Sequence, residues 1–137
     1  MAYSDIYANF FSICQKLSNA LGAIWRLLPA KLYFLTLFLL QAMAWWGAYY
    51  IYSSLTGNIL VLHYNVDFGI DLIGVPVRIF IYPLFGLGII LLNTALTAFF
   101  YRHRDFRVFT HLLLAAAVSF SLILNIALFF IYFINFR

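Results

Sequence analysis

From Leu32 to Leu62 the chain runs 31 residues without a formal charge. A helix needs about 20 predominantly apolar residues to cross about 30 Å of hydrocarbon. The first part of this run, Leu32 to about Leu55, therefore predicts a membrane span. Tyr33 marks one interface, and Tyr49, Tyr50 and Tyr52 mark the other, the level at which amphipathic rings settle. A second span is expected from Pro76, a favourable first helical position, to Tyr101, with Arg78 placed to snorkel to the surface. Pro83 should kink it, and Gly86 and Gly88 permit bending or close approach by a neighbour. A third span reads from about Leu112 to Phe136, again without a charge. The expected fold class is all-α membrane, with three transmembrane helices.

Composition agrees with that reading and closes other routes. The 137 residues are 66% hydrophobic and 9% charged, whereas about a quarter of a soluble domain is charged, so an ordinary globular fold is excluded. Cys14 is the only cysteine, which leaves no internal disulfide and no thiolate metal cluster. MAYSDIYANF has no basic n-region and carries Asp5 ahead of any long apolar stretch, so no cleaved secretory signal is expected. The net charge of +4 does not point to nucleic acid, because the basic residues sit at the ends of the apolar runs and not in one stripe. There they meet lipid headgroups, with Lys31, Arg102, Arg104 and Arg107 the expected contacts.

Ahead of the first span, Tyr3, Tyr7, Phe10, Cys14, Leu17, Leu21, Ile24 and Leu28 recur in steps of four and three. This is a helical stripe, with Gln15, Lys16, Asn19 and Arg26 between its members. Residues 1–29 thus form an amphipathic helix, distinct from a membrane domain at 30–137. It lies in the headgroup plane or packs on a partner. Phe11, Ile13, Trp25 and Leu27 widen the apolar face beyond a coiled-coil seam and favour the membrane surface. Pro29 should end or kink this helix.

Lys16, Arg26 and Lys31 precede the first span, and Arg102, Arg104 and Arg107 lie between the second and third. The two flanks share one side and hold six of the eight basic residues, which predicts a cytoplasmic N-terminus and an extracytoplasmic C-terminus.

Chemistry, if the chain performs any, is expected in the outer loop 56–75, where His63, Asn65, Asp67 and Asp71 fall within nine residues. On a helix His63, Asp67 and Asp71 would share a face; on a strand all four would. Either arrangement could gather ligands on a cation or set Asp67 beside His63 as an acid and base pair. The plainer reading is turn chemistry, with Asn65 and Asp67 ahead of Gly69, Asp71 ahead of Gly74, and Asp71 pairing Arg78 or capping the second span. One His with carboxylates lacks the spacing of a metal or catalytic motif. No catalytic residue, metal or cofactor is therefore expected. His63, Asn65, Asp67, Asp71 and Arg78 remain candidates for a ligand or partner surface.

The run HYNVDFGID within LVLHYNVDFGIDLIG resembles the pattern that follows a first membrane span in bacterial SdpI-type immunity proteins, and the same region of small three-span bacterial membrane proteins. That resemblance implies a bacterial inner-membrane location, with immunity or signalling as a role, and assigns no catalytic residue.

Within the spans, depth counted from the helix ends at about 1.5 Å per residue puts Gln41, Asn93 and Ser119 in one layer and Asn125 in another. Polar groups in hydrocarbon call for partners, so these three predict interhelical hydrogen bonds. Ala44 with Ala48, and Ala115 with Ser119, offer small-residue faces. The sequence-based expectation is a non-enzymatic accessory, assembly or oligomeric component, partnered by lipid and by a second copy or other membrane subunits. The alternative is a recognition or immunity-type protein acting through the outer loop.

Overall fold

A computed structural model describes the chain from Ala2 to Phe136 apart from Val66 and Phe68, with side chains from Phe10 onward except those of Tyr64, Asn65 and Asp71. Helix α1 (Ala2–Trp25) leads into α2 (Leu28–Ser54), followed by strands β1 (Leu60–Asn65) and β2 (Gly69–Gly74). A 3-10 turn at Pro76–Phe80, α3 (Ile81–Phe99) and α4 (Phe106–Phe136) complete the fold.

The prolines act at helix starts. A helix continued through Pro29 would lose the hydrogen bond to the Trp25 carbonyl and crowd it, so α1 ends at Trp25. Leu27 is extended (φ −83°, ψ 116°), and Pro29 falls in the first turn of α2, where a missing N–H costs nothing. Pro83 behaves the same way. The sequence suggested one helix from Pro76 kinked at Pro83, but the helix type changes instead: residues 76–80 are 3-10 and α3 starts at Ile81. Pro83 has no N–H to give Ile79, and it lies in the first turn of α3. The third helix starts at Phe106, six residues earlier than the expected Leu112, which shortens the basic connection and brings Arg107 into the helix.

Helix α4 packs on both α2 and α3, and α2 also touches α3. Two buried clusters result. One, at the hairpin end, joins Ala44, Ala48, Ile51, Leu60, Ile79 and Ile131. The other joins Ala20 and Ile24 of α1 to Ala30, Ala98 and Leu114. Ala44 and Ala48 are buried as expected. On α4 the contact face runs through Thr110, Leu114, Ala117, Ser121, Leu128 and Ile131, while Ala115 is half-buried and Ser119 is exposed. The small-residue face thus lies two positions from the one expected.

Helix α1 gives the bundle only its last turns, through Ala20 and Ile24. Phe10, Leu17, Leu21 and Trp25 stay uncovered, so among the described side chains most of the apolar stripe is not spent on intramolecular packing.

All three later helices are long and apolar enough to cross a membrane, yet only 17% to 22% of the most apolar window of each is buried. The rest presents Leu, Ile, Phe, Trp and Tyr outward. Apolar surface on that scale requires a non-aqueous solvent. The chain is a multi-pass integral membrane protein with three transmembrane helices.

Candidate functional site

The segment between α2 and α3 reverses on itself. Strands β1 and β2 pair antiparallel from Leu60↔Gly74 to Asn65↔Gly69. Gly69 takes φ +77°, the left-handed conformation that glycine adopts without a Cβ penalty and that often closes a three-residue hairpin connection. The register is broken twice. Leu62 has no opposite residue between Val61↔Ile73 and His63↔Leu72, and Asp71 has none between His63↔Leu72 and Tyr64↔Ile70. Each strand therefore carries one extra residue, and strand alternation fails as a guide to side-chain facing.

The hairpin is fastened to the bundle at three places. Leu60 and Leu62 enter the buried cluster. Val61, between them, donates its N–H to Asn135 Oδ1 at 3.0 Å and accepts at its carbonyl from Asn135 Nδ2 at 2.8 Å. The carboxamide so imitates a neighbouring strand along the edge of β1. The Tyr82 hydroxyl donates to the Leu62 carbonyl at 3.2 Å. At the end of β2, a Cβ on Gly74 would stand 2.9 Å from both Arg78 Cδ and Leu62 Cδ1, so the absence of a side chain leaves room for the Arg78 stem and the Leu62 side chain.

On this platform His63 is exposed on β1, Asp67 is exposed in the connection, and Arg78 is exposed with its stem across Gly74. The side chains of Asn65 and Asp71, and with them the expected Asp71–Arg78 pair, lie outside the described residues. The alignment of His63, Asp67 and Asp71 on one helix face, or of all four polar residues along one strand, does not occur. The chain reverses between Asn65 and Gly69, so His63 belongs to β1, Asp67 to the turn and Asp71 to β2. Among the described residues no three His, Cys, Asp or Glu side chains stand close enough to hold a metal ion. What the hairpin can do is present exposed His63 and Asp67 beside the exposed apolar side chains Ile70, Leu72 and Ile73, anchored to the membrane helices.

The amides inside the bundle are arranged differently from the depth count. Gln41 Nε2 donates to the Pro83 carbonyl at 2.6 Å, an interhelical bond from α2 to α3. Asn93 turns back to the Ile89 carbonyl of its own helix at 2.9 Å, and Ser119 is exposed, so neither meets Gln41. Asn125 joins Gln41 in its place, donating from Nδ2 to Leu40 of α2 at 3.1 Å and to Ser121 at 2.8 Å. Ala30, Ala98 and Leu114 share one buried cluster, which makes them a common level. Eleven residues further along α2 and α4 lie Gln41 and Asn125. The helix ends are not level, so counting from them misplaced the layer by about one turn.

At the other end of the bundle Lys31, Arg102, Arg104 and Arg107 are all exposed. Arg102 Nε donates to the Tyr101 hydroxyl at 2.7 Å with its guanidinium over that ring, and Lys31 Nζ stands 5.7 Å from the Trp25 ring centroid. Such aromatic and cationic pairs suit a headgroup layer.

Sequence reasoning passed over Asn135 and Tyr82, whose side chains hydrogen-bond the backbone of β1. The available signal was a lone amide in the final turns of an otherwise apolar span. Comparison with protein-family models, curated proteins and solved structures finds nothing that matches this chain, so its role has to be argued from its own geometry.

Proposed function

We propose that this is a non-enzymatic accessory or assembly component of a bacterial inner membrane that works by packing against a second copy or another membrane subunit. The observation that carries this reading is a groove between α2 and α4 bounded by Met43, Trp46, Tyr50, Asn125 and Tyr132. Gly47 forms part of its floor, and a Cβ there would meet nothing within 4 Å. A small residue between aromatic walls admits a neighbouring helix closely, and close packing drives helix association where no hydrophobic force distinguishes lipid from protein. In this reading α1 lies in the headgroup plane with Phe10, Leu17 and Leu21 toward the acyl chains. Purification in mild detergent with crosslinking tests the proposal. A larger species should form and should be lost in Gly47→Leu, whose Cβ meets nothing within 4 Å and whose side chain fills the groove, with unchanged helix content showing that the bundle is intact. A monodisperse monomer that carries no other subunit overturns it.

A second reading takes its support from the fastened hairpin, which holds His63 and Asp67 exposed: recognition of an extracytoplasmic peptide, the role implied by the resemblance to SdpI-type immunity proteins. Alanine at His63, Asp67 and Asp71 should then abolish protection or binding with membrane insertion intact. Unchanged protection rules this reading out.

A further inference from the structure

The elbow between α1 and α2 bends back over the start of α4 and leaves a cleft of about 370 Å³, within the roughly 300–1,000 Å³ typical of small-molecule sites. Arg26 lines it from the elbow, and Arg107 and His111, four residues apart on one face of α4, line it from the other side. Leu28 and Pro29 form an apolar lip. The Tyr33 hydroxyl lies 3.4 Å from His111 Nδ1. When it donates there, the neutral ring carries its proton on Nε2 and is a donor on its other edge.

Among the described residues neither Arg26 nor Arg107 makes an ion pair. The only described acid at this end, Asp105, is exposed beside His103 at 3.8 Å. Two guanidinium groups facing one cleft without a counter-charge favour an anion between them, and their planar forks match phosphate oxygens. The cleft opens at the start of α2 and α4, at the level where headgroups meet the ends of spans. From its lip an exposed row, Leu28, Leu32, Leu35 and Leu39, runs along one side of α2 into the hydrocarbon region.

We infer that this cleft binds the phosphate of an anionic phospholipid headgroup, with an acyl chain along the leucine row. The row is what selects a lipid over a free phosphate, because a soluble ion has no use for it.

The full-length protein, delipidated in mild detergent and offered phosphatidylglycerol and phosphatidylcholine in equal amounts, should retain phosphatidylglycerol preferentially by native mass spectrometry. The pair Arg26→Gln and Arg107→Gln should lower that occupancy about thirtyfold or more, whereas the charge-matched pair Arg102→Gln and Arg104→Gln, which removes headgroup contacts outside the cleft, should lower it by no more than about fivefold. Equal losses in both pairs, or equal retention of the two lipids by the unaltered protein, overturn the inference in favour of a general basic surface. Excess inorganic phosphate should leave the bound lipid in place, and displacement by it assigns the cleft to a soluble phosphate. If the glutamine pair lowers helix content, Arg26→Lys with Arg107→Lys takes its place: charge is kept and the forks are lost, so occupancy in the folded protein should fall about threefold or more, and occupancy equal to that of the unaltered protein refutes the site.

Discussion

A side-chain amide in hydrocarbon must find a partner, and three here reach the backbone of another element: Gln41 to Pro83, Asn125 to Leu40 and Asn135 to Val61. Gln41 lies close against α3, since a Cβ on Gly86 would come within 2.9 Å of its Oε1 and 3.1 Å of Leu124 Cδ1. Both atoms end flexible side chains that can shift, so Gly86→Ala should cost about 1 kcal/mol, the low end of overpacking. Gln41→Ala should cost about 0.6–1.7 kcal/mol as a lost interhelical bond. The double variant should cost less than their sum, because the nearer obstacle is then gone. Reversible unfolding in bicelles measures all three, and strict additivity would show that Gly86 is not there for Gln41. Ser121 is the opposite case: its hydroxyl is buried and makes no hydrogen bond among the described residues. Ser121→Ala should leave stability unchanged or raise it by up to about 1 kcal/mol in the same assay, because an orphaned hydroxyl is removed.

At the scale of elements, the three spans could be read from the sequence because a charge-free stretch of sufficient length has few alternatives to a membrane helix. The helix of residues 60–74 or its strand alternative could not be decided there. Leu60, Leu62, Ile70 and Leu72 alternate as in a strand, but Val61 and Ile73 interrupt the pattern, so neither a clean period of two nor one of 3.6 emerges. Gly69 was legible as turn chemistry, and it does end the turn. Asn135, by contrast, could not be linked to Val61, because nothing local connects residues 74 apart. Asn135→Leu should leave the three spans intact while lowering hydrogen-exchange protection of the Val61 amide about tenfold, the loss of roughly one buried hydrogen bond. Unchanged exchange there would mean that Leu60 and Leu62 suffice to hold the hairpin.

The whole molecule divides into a basic end, where α1, α2 and α4 meet, and a hairpin end that carries Tyr82, Asn135 and the polar residues of the turn. Counting Lys and Arg in the flanks of the spans predicts that the basic end is cytoplasmic. A reporter active only outside the cytoplasm should be active when fused after Arg137, and silence would invert the assignment. The relative heights of the helices were not legible, because they are set by where buried faces interlock and not by where each helix begins. The Ala30, Ala98 and Leu114 level shows the difference.

The clamp on Val61 also orders events in time. β1 leaves the ribosome 74 residues ahead of the amide that pairs with it, so during synthesis its edge has no α4 to meet. A strand edge in that condition is a template for any other strand. Arrival of α4 closes this interval, because only a chain whose third span is in place presents Asn135 to Val61.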